Sequence, residues 1–132
     1  MSQSLLENEA LTIDRYKQAS LIVKLFDLWA LSNAEMLNLL GLSPRSVSKL
    51  HGLKTGASAL SDGQDAQDRV GYLLDIHKAL GLLFPENPQM KYSWVKTQNR
   101  MIDGKTPLQL MLEGRMLGII QVNSLVNSLL GR

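Results

Sequence analysis

The stretch SNAEMLNLLGLSPRSVSKL, Ser32–Leu50, decides the fold. Ser32 and Glu35 stand in the pattern of a capping box, in which the hydroxyl accepts from the Glu35 amide and the carboxylate reaches back to the Ser32 amide. A helix is therefore expected from about Ala34, carrying Met36, Leu37, Leu39 and Leu40 to a stop at Gly41, a residue type that takes positive φ at little cost. Ser43-Pro44 repeats the start signal, a cap followed by proline at the first helical position, where its missing N–H is no loss. A third, short helix is expected from Pro44 to about His51, with Val47 and Leu50 as its inward contacts. Two short helices joined by a glycine-containing turn have the dimensions of a helix-turn-helix.

The charge of this region is one-sided. From Met36 to Ser61 there is no carboxylate, while Arg45, Lys49 and Lys54 fall there. A helix that enters a groove lined by phosphates excludes carboxylates. Ser43, Arg45, Ser46, Ser48, Lys49 and Lys54 are therefore candidates for phosphate and base-edge contacts, Arg to guanine being the commonest specific pair. His51, at the expected end of the helix, suits both the helix dipole and phosphate. The same punctuation also fits an ordinary αα-hairpin with solvated cations. Useful affinity from so few cations calls for a dimer or for basic residues from elsewhere in the chain.

Working outward, residues 17 to 31 place Ile22, Leu25, Phe26 and Trp29 at helical spacing, a core-facing helix. Thr55 to Gln64, rich in Gly, Ser, Ala and Asp, reads as a flexible connection. A further amphipathic pattern from about Ala66 to Phe84 runs through Val70, Leu73, Leu74, Ile76 and Leu80 and is stopped by Pro85 and Pro88. A helix from about Met90 to Met101 follows, containing Tyr92, Trp94 and Val95. Asp103-Gly104 then turns the chain, Thr106 caps and Pro107 opens a short helix to about Leu112, and Gly114 separates it from a last helix, Met116 to Leu130. No alternating strand pattern occurs. The expected fold is all-α: an N-terminal helix-turn-helix bundle over residues 1–60 and a small helical domain over residues 61–132.

Composition bounds the function. The chain has 132 residues, 45% of them apolar and 20% charged, with no cysteine. Disulfides, thiolate metal sites and a cysteine nucleophile are excluded. Glu7, Glu9 and Asp14 interrupt the start of the chain, so no signal peptide is expected, and no apolar run reaches the ~20 residues a membrane span needs. A cytoplasmic location without membrane attachment is the default. His51 and His77 are the only histidines; His77 lies on the apolar stripe and reads as a core or boundary residue. Asp62, Asp65 and Asp68 lack the spacing and final bidentate Glu of a calcium loop. No phosphate-binding, nucleophile-elbow or zinc-protease motif is present, so neither an enzyme nor a cofactor is expected.

The end of the chain carries a separate signal. No charged residue falls between Met116 and Gly131, and the side opposite the apolar stripe is Gln121, Asn123, Ser124, Asn127 and Ser128. Exposed helices usually carry Glu and Lys, whereas interface cores are depleted of charge. The helix is either buried within its own fold or covered by a partner.

WVKTQNRMIDGKTPLQLMLEG, Trp94–Gly114, followed by a helix ending VNSLVNSLLGR, resembles the toxin-binding domain of the Xre/MbcA/ParS antitoxins, and the helix-turn-helix upstream matches the Xre-like half. The family's order is a Trp-containing helix, an Asn, a Gly-Lys/Arg-Thr-Pro-Leu turn and cap, a Glu-Gly pair and a final Val/Leu helix. The resemblance implies a type II antitoxin whose partner is a RES-domain toxin that consumes NAD. It implies operator DNA as a second partner, repression of the antitoxin's own operon, and a homodimer. Asn127, Ser128, Leu130, Gly131 and Arg132 would then face the toxin, Arg132 bringing a guanidinium and a terminal carboxylate to a site for a phosphate-bearing cofactor. The alternative is a stand-alone helix-turn-helix regulator that uses the C-terminal domain only to dimerise.

Overall fold

A computed structural model describes the backbone of residues 2–132 and the side chains of residues 15–132. Glu7, Glu9 and Asp14, on which the expectation of no leader rests, lie outside the described side chains. Among the described residues all regular structure is helical: α1 (Ser2–Leu28), α2 (Asn33–Leu39), α3 (Val47–Thr55), α4 (Gln64–Leu83), α5 (Pro88–Ser93) and α6 (Pro107–Leu129), with 3-10 turns at Trp94–Lys96 and Arg100–Ile102.

The start of α2 follows the sequence closely. Glu35 N donates to Ser32 Oγ at 3.2 Å and Ser32 N to Glu35 Oε1 at 2.8 Å, the reciprocal capping box. Its exit uses Gly41 at φ 72. The start of α3 is corrected. Ser43 Oγ accepts from Arg45 N at 3.2 Å and Ser46 N donates to Ser43 O at 2.9 Å, so Ser43-Pro44-Arg45-Ser46 closes on itself as a separate turn with Pro44 at its second position. Helical bonding begins only with Leu50 N to Ser46 O, and α3 runs from Val47 to Thr55. The inward pair is then Leu50 and Leu53, both buried, while Val47, expected to pack inward, is 52% exposed. His51 sits inside the helix rather than at its end.

The connection after α3, expected as a flexible linker, makes anchoring contacts at Ser58 and Leu60. Leu60 is buried, its N–H donates to Arg15 O at 3.1 Å, and its carbonyl accepts from Arg15 Nη1 at 3.3 Å. Ser58 lies against Gly52, where a Cβ would collide with its hydroxyl.

The centre of the molecule is α4 packed along α6. Val70, Leu73, Ile76 and Leu80 of α4 and Ile119, Val122 and Val126 of α6 are all buried in one cluster with Ile22, Phe26 and Trp29 of the N-terminal part. Each such side chain contributes about 1.5–3 kcal/mol. The expected segments 1–60 and 61–132 thus share a single core. Lys96 Nζ adds a polar tie, donating to Ala30 O at 2.8 Å just after α1 turns at the left-handed Ala30.

The helix expected over 90–101 is broken. Thr97 and Asn99 are extended, and the Asn99 carboxamide caps a new 3-10 turn by accepting from Met101 N at 2.9 Å. The next elements match expectation: Asp103 and Gly104 both take left-handed backbone, and Thr106 and Gln109 form a second capping box ahead of Pro107. Past Gly114 the helix bends without a loop, and the irregular residue is Arg115, at φ 54, ψ −133. The two arms of α6 meet tightly, because a Cβ on Gly118 would strike the backbone carbonyl of Leu110.

Candidate functional site

Two surfaces and one cleft carry the candidate residues. With Leu50 and Leu53 turned inward, the outer face of α3 is Val47, Ser48, His51 and Thr55, flanked by Lys54. Ser48, Lys49 and Lys54 are exposed on the helix, Ser43 and Arg45 are exposed in the turn ahead of it, and Ser46 is half-buried at its start. Ser43, Arg45, Ser46, Ser48 and Lys54 line the ridge made by the turn and the outer face of α3, whereas Lys49 stands apart from it, beside Leu40, Leu42 and Leu53; only Ser48, Lys49 and Lys54 are helical. Lys54 is partly committed, donating to Asn33 Oδ1 at 2.7 Å. Val47 was missed as an outward residue. Reading Leu50 and Leu53 as the inward pair would have exposed it.

A cleft of about 470 Å³ opens between the α2–α3 turn and the bend of α6. Asn38, Gly41, Ser43, Pro44, Arg69 and Arg115 are among its walls. Arg69 is buried and tied down: its Nε donates to Asp65 Oδ2 at 2.9 Å, and its Nη1 reaches the carbonyls of Asn38 and Leu39 at the C-terminal end of α2 at 3.4 and 3.5 Å, the Asn38 carbonyl also accepting from Gly41 N at 3.0 Å. Arg115 is exposed and, among the described residues, has no hydrogen-bond or ion-pair partner. Neither residue stood out in the sequence, which marked the break at Gly114 but not the segments that the bend brings together.

The C-terminal surface lies on the second arm of α6. Its buried side is Ile119, Val122, Leu125 and Val126, and its outer side is Leu117, Ile120, Gln121, Ser124 and Ser128, with Leu117 62% exposed. The helix ends in a Schellman motif: Gly131, at φ 79, donates to Ser128 O and Arg132 N donates to Asn127 O, each at 3.0 Å. Ser128, Gly131 and Arg132 are exposed, whereas Asn127 and Leu130 are half-buried.

Asn127 is the hub of a polar network onto α4. Its Nδ2 donates to Asp75 Oδ2 at 3.1 Å, and Asn123 Nδ2 donates to the same oxygen at 2.7 Å. Arg132 Nε donates to Asn127 Oδ1 at 2.6 Å and its Nη2 lies 3.6 Å from Asp75 Oδ1. Burial pushes the Asp75 carboxyl up, but the hydrogen bonds from Asn123 and Asn127 and the charges of Arg132 and Lys78 outweigh it and hold the group below its ordinary value. The spacing of Asn123 and Asn127 places them on one helix face. Their acceptor on α4 was not legible without the tertiary fold.

His77 has the boundary position expected of it. It stacks on Tyr92 with ring centroids 6.2 Å apart, its Nδ1 is buried without a partner among the described residues, and burial, helped by Lys91, lowers its pKa. Among the described residues no group of His, Cys, Asp and Glu is placed to hold a metal ion, and no helix is long and apolar enough to cross a membrane.

Comparison with known proteins assigns each half. Residues 17–75 match the antitoxin Xre-like helix-turn-helix domain, and residues 79–132 match the antitoxin Xre/MbcA/ParS C-terminal toxin-binding domain. The chain is 30% identical over 105 residues to the uncharacterized protein y4oB of Sinorhizobium fredii (strain NBRC 101917 / NGR234), which covers 80% of this chain and 78% of that protein. No solved structure matches.

Proposed function

We propose, for a chain that belongs to the antitoxins joining an Xre-like helix-turn-helix domain to an Xre/MbcA/ParS C-terminal toxin-binding domain, that it neutralises a RES-domain, NAD-consuming toxin and represses its own operon. It acts in the cytoplasm as a homodimer, reading operator DNA with the α3 ridge and covering the toxin with the second arm of α6. The observation that carries the toxin half is the outer stripe of that arm, Leu117, Ile120, Gln121, Ser124 and Ser128, exposed yet without charge. A solvated face of this size ordinarily carries Glu or Lys, and a charge-free one suits the desolvated centre of an interface.

Ser128, Gly131 and Arg132 continue this stripe toward the toxin, and Asn127 and Leu130, both half-buried, border it. Arg132 is drawn onto Asn127 and Asp75, and both charged groups of its ion pair are about two-fifths exposed. Water screens such a pair, so releasing the guanidinium to a phosphate-bearing site costs no more than about 1 kcal/mol.

The test is co-expression with the product of the adjacent gene. The wild-type chain restores growth and co-purifies with that product, and the double variant Leu117→Lys, Ser124→Glu loses both while melting at the wild-type temperature. A neighbour that is harmless alone, or rescue that survives the double variant, would move the assignment to a stand-alone regulator that uses the same stripe to dimerise.

A further inference from the structure

We infer that Arg115, contributed by the toxin-binding half, contacts a DNA backbone phosphate at the mouth of the cleft beside the α2–α3 turn. The inference rests on the reading of α3 as a DNA-binding helix and adds a residue to that surface from outside the helix-turn-helix.

Three observations converge on it. Arg115 lines the same cleft as Ser43 and Pro44, so it stands beside the turn that leads into α3 and carries the exposed Arg45. Its charge is uncommitted: Arg69, the other cation of the cleft, is neutralised by Asp65 at 2.9 Å, and Glu113, two residues from Arg115, is taken by Lys105 at 2.8 Å. No carboxylate lines the cleft. The backbone of Arg115 is held at φ 54, ψ −133, a region that a residue with a Cβ enters only at a cost, although Gly114 precedes it. A strained cation without a protein partner, beside a carboxylate-free turn, fits an external phosphate. It also supplies a cation that Arg45, Lys49 and Lys54 alone lack for a useful footprint.

The test titrates salt against binding of the full chain to a duplex carrying the region immediately upstream of its own coding sequence, and to an unrelated duplex of equal length. Arg115→Gln is expected to weaken binding to both duplexes alike and to lower the slope of log affinity against log salt by about 0.9, the share of one phosphate. Arg115→Gly should show the same loss while folding at least as well, because glycine takes this backbone freely. Arg115→Lys should keep the slope. A wild-type chain that fails to bind either duplex at low salt overturns the DNA reading and this inference together. Wild-type slopes in both Arg115→Gln and Arg115→Gly overturn this inference alone. So does weaker co-purification with the toxin at an unchanged slope, which would place Arg115 on the protein interface instead.

Discussion

Arg132 Nε donates to Asn127 Oδ1 at 2.6 Å, and through Asn127 it is linked to Asp75 on α4, whose Oδ2 lies 3.1 Å from Asn127 Nδ2. The last residue is therefore part of the fold's own polar network. Two of the candidate toxin-facing residues, Asn127 and Arg132, are tied to each other and to α4, so a partner that takes the Arg132 guanidinium must first break its exposed contacts with Asn127 and Asp75.

Asp75→Ala is expected to lower stability by about 1 kcal/mol, since Asn123 and Asn127 lose an acceptor where water has partial access. The effect depends on pH. The folded carboxyl lies below its ordinary value of 3.8, so the stabilisation is complete above that value and is lost as the pH falls through the folded one. Urea melts across this acid range should converge for wild type and variant. A gap that stays constant down to the lowest pH would show that the charge of Asp75 contributes nothing.

Gly118 and Gly71 make opposite predictions from the same substitution. A Cβ at Gly118 meets the Leu110 carbonyl and the Met111 backbone, so Gly118→Ala must open the bend of α6, costing about 1–3 kcal/mol. Nothing lies within 4 Å of a Cβ at Gly71, exposed in α4, and Gly71→Ala should stabilise by up to about 1 kcal/mol. Thermal melts of the two variants should shift in opposite directions; equal shifts would mean that the arms of α6 do not meet as described.

What the sequence made legible is local chemistry. Ser32 with Glu35, Thr106 as a cap, Asp103-Gly104 and the inward stripes of α4 and α6 follow from spacing and residue type, and each is present, except that Leu129, expected on the inward stripe of α6, is exposed. What it hid are alternatives of nearly equal local energy. Ser43 could cap a helix at Pro44 or close a turn onto Ser46, and the pattern holds for both; Leu53, packed against the core, selects the second. The Gly-Ser-Asp composition after α3 is that of a mobile linker, yet Leu60 anchors it. The bend of α6 falls at Arg115 rather than at Gly114 because packing at Gly118 sets it, not local propensity. Of the sites, the α3 ridge and the Gln121, Ser124 and Ser128 part of the uncharged face of α6 were readable from charge; Asn123 and Asn127, expected on that face, instead turn onto Asp75 of α4, and this network, like Arg115 in its cleft, required two distant segments to meet.

Thr106→Ala removes the hydroxyl that accepts from Gln109 N at 3.0 Å and weakens the reciprocal bond from Thr106 N to Gln109 Oε1 at 2.9 Å. Loss of a cap of this kind costs about 1 kcal/mol. Urea melts are expected to show that loss, and because α6 carries both the bend and the outer stripe, the antitoxin should also release its partner faster. Unchanged stability would mean that the first turn of α6 is held by Pro107 and Leu108, both buried, rather than by its cap.

His77 supplies a second pH dependence, nearer neutrality. Burial holds its folded pKa below the ordinary 6.5, so the unfolded chain binds a proton more readily than the folded one. Stability from this group is complete above pH 6.5 and falls as the pH drops through the folded value, because the buried ring, stacked on Tyr92 and facing Lys91, resists a positive charge. Histidine proton resonances should titrate with a midpoint below 6.5. His77→Phe, which keeps a ring against Tyr92, should flatten the stability profile over that window. A midpoint at or above 6.5 would mean that the ring is hydrated in solution and that the contact between α4 and α5 is looser than the packing described.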